Sequence, residues 1–95
     1  MTDELFLSRV RLAIVAELVN ADWITFSTLQ NSIEATNGNL GMHLIKLVEA
    51  GYVQEEKRFL GRRPQTRYRL TRAGRTAFVR HVEELRAIAE QVKAG

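Results

Sequence analysis

The sequence predicts a mainly α-helical chain carrying one small β-hairpin, an α+β domain. Three observations predict it. Leu40, Leu44, Leu47 and Val48 fall at i, i+4, i+7 and i+8, giving residues 36–50 one apolar helical face. Val53, Glu55, Lys57 and Phe59, then Thr66, Tyr68 and Leu70, switch to the period of two expected of strands, so 52–70 reads as a hairpin. Residues 71–93 return to helical spacing, with Phe78, Val82, Leu85, Ala89 and Val92 separated by 4, 3, 4 and 3.

Taken in order, residues 3–20 form a helix with two apolar stripes. One is Leu7, Val10, Ile14 and Leu18; the other is Leu5, Leu12, Val15 and Val19. A helix apolar on two sides is buried on two sides, and in so short a chain the second neighbour is expected to be another subunit. Asp22-Trp23-Ile24-Thr25 is a very short extended piece. A second helix follows over 26–34, capped by Thr25 or Ser27, with Phe26, Leu29 and Ile33 facing inward. Only Ala35 separates it from Thr36, the N-cap of the next helix, which is helix-turn-helix spacing. Gly51 stands where a left-handed residue would end that third helix. The hairpin tip is expected at Gly61-Arg62-Arg63-Pro64, with Pro64 at the tip because it cannot donate to a ladder. Thr71 caps the last helix, whose seam is expected to pair with a second copy.

The chain has 95 residues, one domain spanning 1–95, and no cysteine, which excludes disulfides and thiolate metal sites. Two histidines do not make a metal centre. No apolar run approaches the ~20 residues of a membrane span and no signal peptide heads the chain, so a soluble cytoplasmic protein is expected. There is no nucleophile–base pair, no glycine loop for phosphate and no pocketed carboxylate pair, so neither an enzyme nor a cofactor is implied.

The net charge is only +3, but it is concentrated. From Lys57 to Val82 there is no acidic residue and there are nine basic ones. Such a block is an electrostatic footprint for a polyanion, with double-stranded DNA the fitting partner.

The order helix, short strand, helix, helix, hairpin, helix resembles the winged helix-turn-helix transcriptional regulators, in particular the small MarR-like and ArsR-like group. The residues carrying the likeness run from Arg11-Leu12 and Ile14, through Phe26, Leu29, Thr36-Asn37-Gly38-Asn39-Leu40, His43-Leu44 and Leu47, to Glu49-Ala50-Gly51-Tyr52-Val53. They continue as Gly61-Arg62-Arg63-Pro64, Thr66, Tyr68-Arg69-Leu70-Thr71 and Gly74-Arg75. The resemblance implies a homodimeric regulator whose third helix enters the major groove and whose wing follows the flanking minor groove or backbone. Two positions depart from it: Glu34, where relatives often carry a small residue, and Met42, where they tend to carry a polar or basic one.

On this reading the recognition helix offers Asn37, Gly38, Asn39, Met42, His43 and Lys46. Asn39 serves either an adenine edge or the helix's own first-turn N–H groups; Met42 packs on a thymine methyl or on a partner. Lys46 suits a phosphate, and for His43 phosphate contact competes with local packing. In the wing, Arg62 and Arg63 have no core to serve, whereas Arg58, Arg67 and Arg69 either touch phosphates or pair with Glu55 and Glu56. His81 is expected at the edge of the last helix without a function. The dimer interface is expected to use Leu5, Leu12 and Val19 with Phe78, Val82, Leu85, Ala89 and Val92. Two alternatives stand beside this one. The first is a protein-interaction module whose wing meets an acidic partner; the second is a DNA-binding regulator with a small effector at the dimer interface.

Overall fold

The computed structural model describes residues 3–94. A 3-10 helix over Glu4–Leu7 precedes α1 (Arg9–Val19), β1 (Ile24–Thr25), α2 (Phe26–Ser32), α3 (Asn37–Glu49), β2 (Val53–Leu60), β3 (Arg63–Leu70) and α4 (Arg72–Ala94). The strands form one antiparallel sheet in the order β1-β3-β2. Ile14, Val15, Leu18, Leu29, Leu40, Leu44 and Leu47 are essentially inaccessible and make the core, joined by Phe6, Ile33, Val53 and Tyr68.

The first expected helix is two pieces. Ser8 takes extended dihedrals (φ −80°, ψ 126°), and its hydroxyl accepts from the Arg11 N–H at 3.2 Å, so it starts α1 afresh. The turn before it folds back under its own cap, Asp3, and delivers Phe6 to the core at 2% exposure. The second apolar stripe is thereby largely used within the chain, since Leu12 and Val19 pack against this core. The second helix ends at Ser32 rather than 34, because Ile33 turns extended and buries its side chain.

The third helix follows the sequence closely. Thr36 caps it by accepting from Asn39 N–H at 3.1 Å, and Gly51, at φ +79°, reverses the chain after it. Thr25 is the cap of α2, accepting from Thr28 N–H.

The hairpin tip is tighter than the expected Gly61–Pro64 stretch. Leu60 pairs with Arg63, leaving a two-residue turn of Gly61 and Arg62. Gly61 has φ +65° and Arg62 does not share the positive φ, the pattern of a II′ turn. Pro64 therefore lies inside β3, opposite Phe59. It is tolerated there because, one step from a two-residue turn, the pair is the non-hydrogen-bonded kind and no N–H toward β2 is needed.

α4 docks through its first turn. Thr71 Oγ1 accepts from Gly74 N–H at 3.0 Å and donates to Gly51 O at 2.7 Å. Gly74 is buried, and a Cβ there would collide with the Tyr52 carbonyl oxygen and stand 2.7 Å from Leu70 Cδ1. Backbone cannot swing aside as a side chain would. Gly74→Ala is therefore expected to cost at least the usual ~1–3 kcal/mol of overpacking, seen as a melting temperature lower by roughly 4–8 °C per kcal/mol.

His81 is a correction to its expected place at a helix edge. It is 4% exposed and lies 5.2 Å, ring to ring, from Phe6, which also meets Phe78 edge-on at 6.0 Å and Tyr52 in a stack at 5.8 Å. Its Nδ1 is buried without a hydrogen-bond partner among the described residues. Phe78, expected at a subunit seam, thus serves this chain's own core in part.

Candidate nucleic-acid interface

With Leu40, Leu44 and Leu47 committed to the core, α3 turns its other side outward. Asn37, Gly38, Asn39, Met42, Ile45 and Lys46 are all exposed. Sequence reading missed Ile45, although the same 100° arithmetic that buries the three leucines places it opposite them. Asn37 is tied back across the turn, its Oδ1 accepting from Gln30 Nε2. A Cβ at Gly38 or Gly41 would meet nothing within 4 Å, so this chain's own packing requires neither glycine.

His43 lies on the flank of α3 and is held from within. The Arg11 guanidinium donates to its Nδ1 at 2.9 Å while donating through Nε to Leu5 O at 2.8 Å. An imidazole that accepts at Nδ1 carries its proton on Nε2. Partial burial first, then the charges of Arg11 and Lys46, hold its pKa below the ordinary 6.5. Since the folded state binds this proton less readily than the unfolded chain, the stability from the neutral ring is complete above about pH 6.5 and is lost as pH falls through the lowered folded value. Urea midpoints between pH 7 and 5 are expected to fall less steeply in His43→Gln than in the unaltered chain.

The wing arginines divide into two sets. Arg67 is clamped: Nε and Nη2 both reach Glu56 Oε1 at 2.7 Å, and its guanidinium carbon sits 4.1 Å from the centre of the Trp23 ring. Arg69 lies 4.7 Å over the same ring, donates to Gln54 Oε1 at 3.0 Å and approaches Asp22 at 3.8 Å. Arg58 donates to Gln65 Oε1 at 2.9 Å. Apart from the Asp22 approach and the ring stacking, each of these interactions joins residues directly opposite in the β2–β3 register. Trp23, which sequence reading passed over, is the platform of this face; its alternation with Thr25, opposite Arg67, is the signal that points there. Arg62 and Arg63, by contrast, are exposed, and among the described residues their side chains have no hydrogen bond or ion pair. The core-side face of the hairpin is anchored by Tyr68, which donates to Glu55 Oε2 at 3.1 Å. Burial, then the Glu55 charge and hydrogen bond, push its phenol well above the usual range.

Three core-packed helices, an outward helix after a tight turn and a basic two-stranded wing define a winged helix protein. A family model described as "Winged helix DNA-binding domain" matches residues 10–89, and the chain belongs to that family. It is a family of DNA-binding domains and not of enzymes, in line with the sequence reading. The chain is 32% identical over 90 residues to the uncharacterized protein MJ0432 of Methanocaldococcus jannaschii, covering 95% of this chain and 98% of that one. Among solved structures it is similar to a transcriptional regulator homologue protein from Pyrococcus horikoshii OT3, with TM-score 0.87, 28% identity and coverage of 95% and 89%. The fold is shared by FabT of Streptococcus pneumoniae, solved in complex with DNA, at TM-score 0.63, 23% identity and coverage of 96% and 67%. No helix among the described residues is long and apolar enough to cross a membrane.

Proposed function

We propose that this chain is a sequence-specific, DNA-binding transcriptional regulator of the cytoplasm that works as a homodimer. The observation that carries the reading is the exposed pair Arg62 and Arg63 at the wing tip, without partners among the described residues, beside a helix whose outward side chains serve no core. Unpaired cations on a projecting turn suit phosphates or a narrow minor groove. The family description and the regulator from Pyrococcus horikoshii support the same reading. Within it, Lys46, Arg62 and Arg63 hold the duplex, Asn39 and Met42 face bases, and Arg67 and Arg69 stiffen the wing from behind. An anisotropy titration against random duplex DNA at low salt tests it, and failure to retain any duplex would overturn it. An acidic protein partner retained instead would favour the interaction-module alternative.

A dimer presents two copies of α3, so the preferred site is expected to be two-fold symmetric, with half-sites about one turn, ~34 Å, apart. Footprinting on a selected duplex checks this; protection of a single asymmetric half-site at saturation would contradict it.

A further inference from the structure

The outward line of α3 is apolar where a hydrogen-bonding reader would be polar. Met42 is 45% exposed and Ile45 57%, three residues apart and therefore neighbours on one face. Neither has a role in the core, which Leu40, Leu44 and Leu47 fill from the opposite side. Beside them Gly38 and Gly41 leave the surface bare, with open space where a Cβ would be. Gly41 stands inside the helix, where alanine would be the better helix former. Two apolar side chains beside a shallow floor, bordered by Asn39 and Lys46, make a surface that fits methyl groups.

In the major groove the apolar group on offer is the C5-methyl of thymine. We infer that Met42 and Ile45 read thymine methyl groups, so that the preferred duplex carries thymines facing α3 and is chosen there by apolar contact rather than by paired hydrogen bonds. The inference rests on the DNA-binding reading above. Lys46 on the same exposed side supplies the charge that suits a duplex rather than an apolar peptide.

The test uses the full chain and the tightest duplex recovered from a random pool. Each thymine is replaced in turn by deoxyuridine, which removes the methyl and nothing else. At two or three positions per half-site the affinity is expected to fall about fourfold per methyl, the worth of burying one methyl-sized group. Ile45→Ala and Met42→Ala should bind thymine and uracil duplexes alike at those positions, with an unchanged salt dependence, while Ile45→Val keeps the preference. Equal binding of every uracil duplex by the unaltered chain, an arm independent of any variant's folding, would overturn the inference. So would an Ile45→Ala chain that retains the full thymine preference, and one that does so while losing its dimer would assign this face to a second copy. If no duplex binds at all, the DNA-binding reading itself falls; if duplexes bind irrespective of their methyl groups, only this inference does.

Discussion

The unaltered chain is expected to sediment as a dimer at micromolar concentration, and a chain carrying Leu85→Glu and Ile88→Glu as a monomer. α4 runs for 23 residues, but its buried members, Gly74 and His81, lie in its first half. Beyond them an apolar stripe continues with Val82 at 36% exposure, Leu85 at 47%, Ile88 at 53% and Val92 at 75%. The molecule is 59 Å long and 26 Å across, with a radius of gyration of 14.8 Å. A compact chain of this size would have ~12 Å. A helix that projects and keeps its apolar stripe dry needs a partner surface, and a second copy of the same stripe is self-complementary. Both substituted positions are exposed in the single chain, so helicity should change little, while the melting temperature should fall and lose its dependence on protein concentration. Operator affinity should fall by roughly 10²–10⁴, because two half-sites no longer bind as one. A monomeric unaltered chain, or a variant that still dimerises, would sink the idea.

That stripe differs from the expected seam in an instructive way. Val82, Leu85, Ala89 and Val92 are exposed as a seam requires, but Phe78 is drawn toward Phe6, and Ile88 joins the outward set. The periodicity of α4 is legible because it is local. What covers each turn is not, because the covering residue, Phe6, lies some seventy positions away and arrives only through the break at Ser8. That break is itself hidden in the sequence, since the apolar spacing runs on through a 3-10 turn that uses the same side chains. His81 escapes sequence reading for the same reason: its ring packs against Phe6, which its own helix does not carry. By contrast, α3 can be read almost to the residue, because Thr36 and Gly51 mark its ends through backbone chemistry that needs no distant partner. The hairpin lies between these cases. Its alternation is plain, yet the two-residue turn, and with it the strand position of Pro64, depends on register, which becomes fixed only when β2 and β3 pair. Trp23 gains its meaning only once β1 takes its place opposite Tyr68 and Arg67.

The division among the wing arginines leads to the second large effect. Replacing both Arg62 and Arg63 by alanine is expected to weaken specific and random duplexes alike and to flatten the salt dependence, by up to about 0.9 in log–log slope for each phosphate no longer neutralised. These side chains sit at a two-residue turn, exposed, with no intrachain partner among the described residues to satisfy first. Their release of counterions on binding is therefore not offset by a broken ion pair. Arg67 makes the contrast: its charge already faces Glu56 at 2.7 Å and its plane covers Trp23. Arg67→Ala should leave the slope nearly unchanged and instead loosen the sheet, exposing Trp23 and shifting its fluorescence. On the rigid helix, Asn39→Ala should alter preference at one or two positions by roughly 1–3 kcal/mol without altering the slope. Titrations of the three variants at several salt concentrations separate these roles. A wing-tip variant that kept the full slope would show that Arg62 and Arg63 do not neutralise phosphates. An Arg67→Ala chain whose slope fell instead would place the positioning charge on the clamped face of the wing.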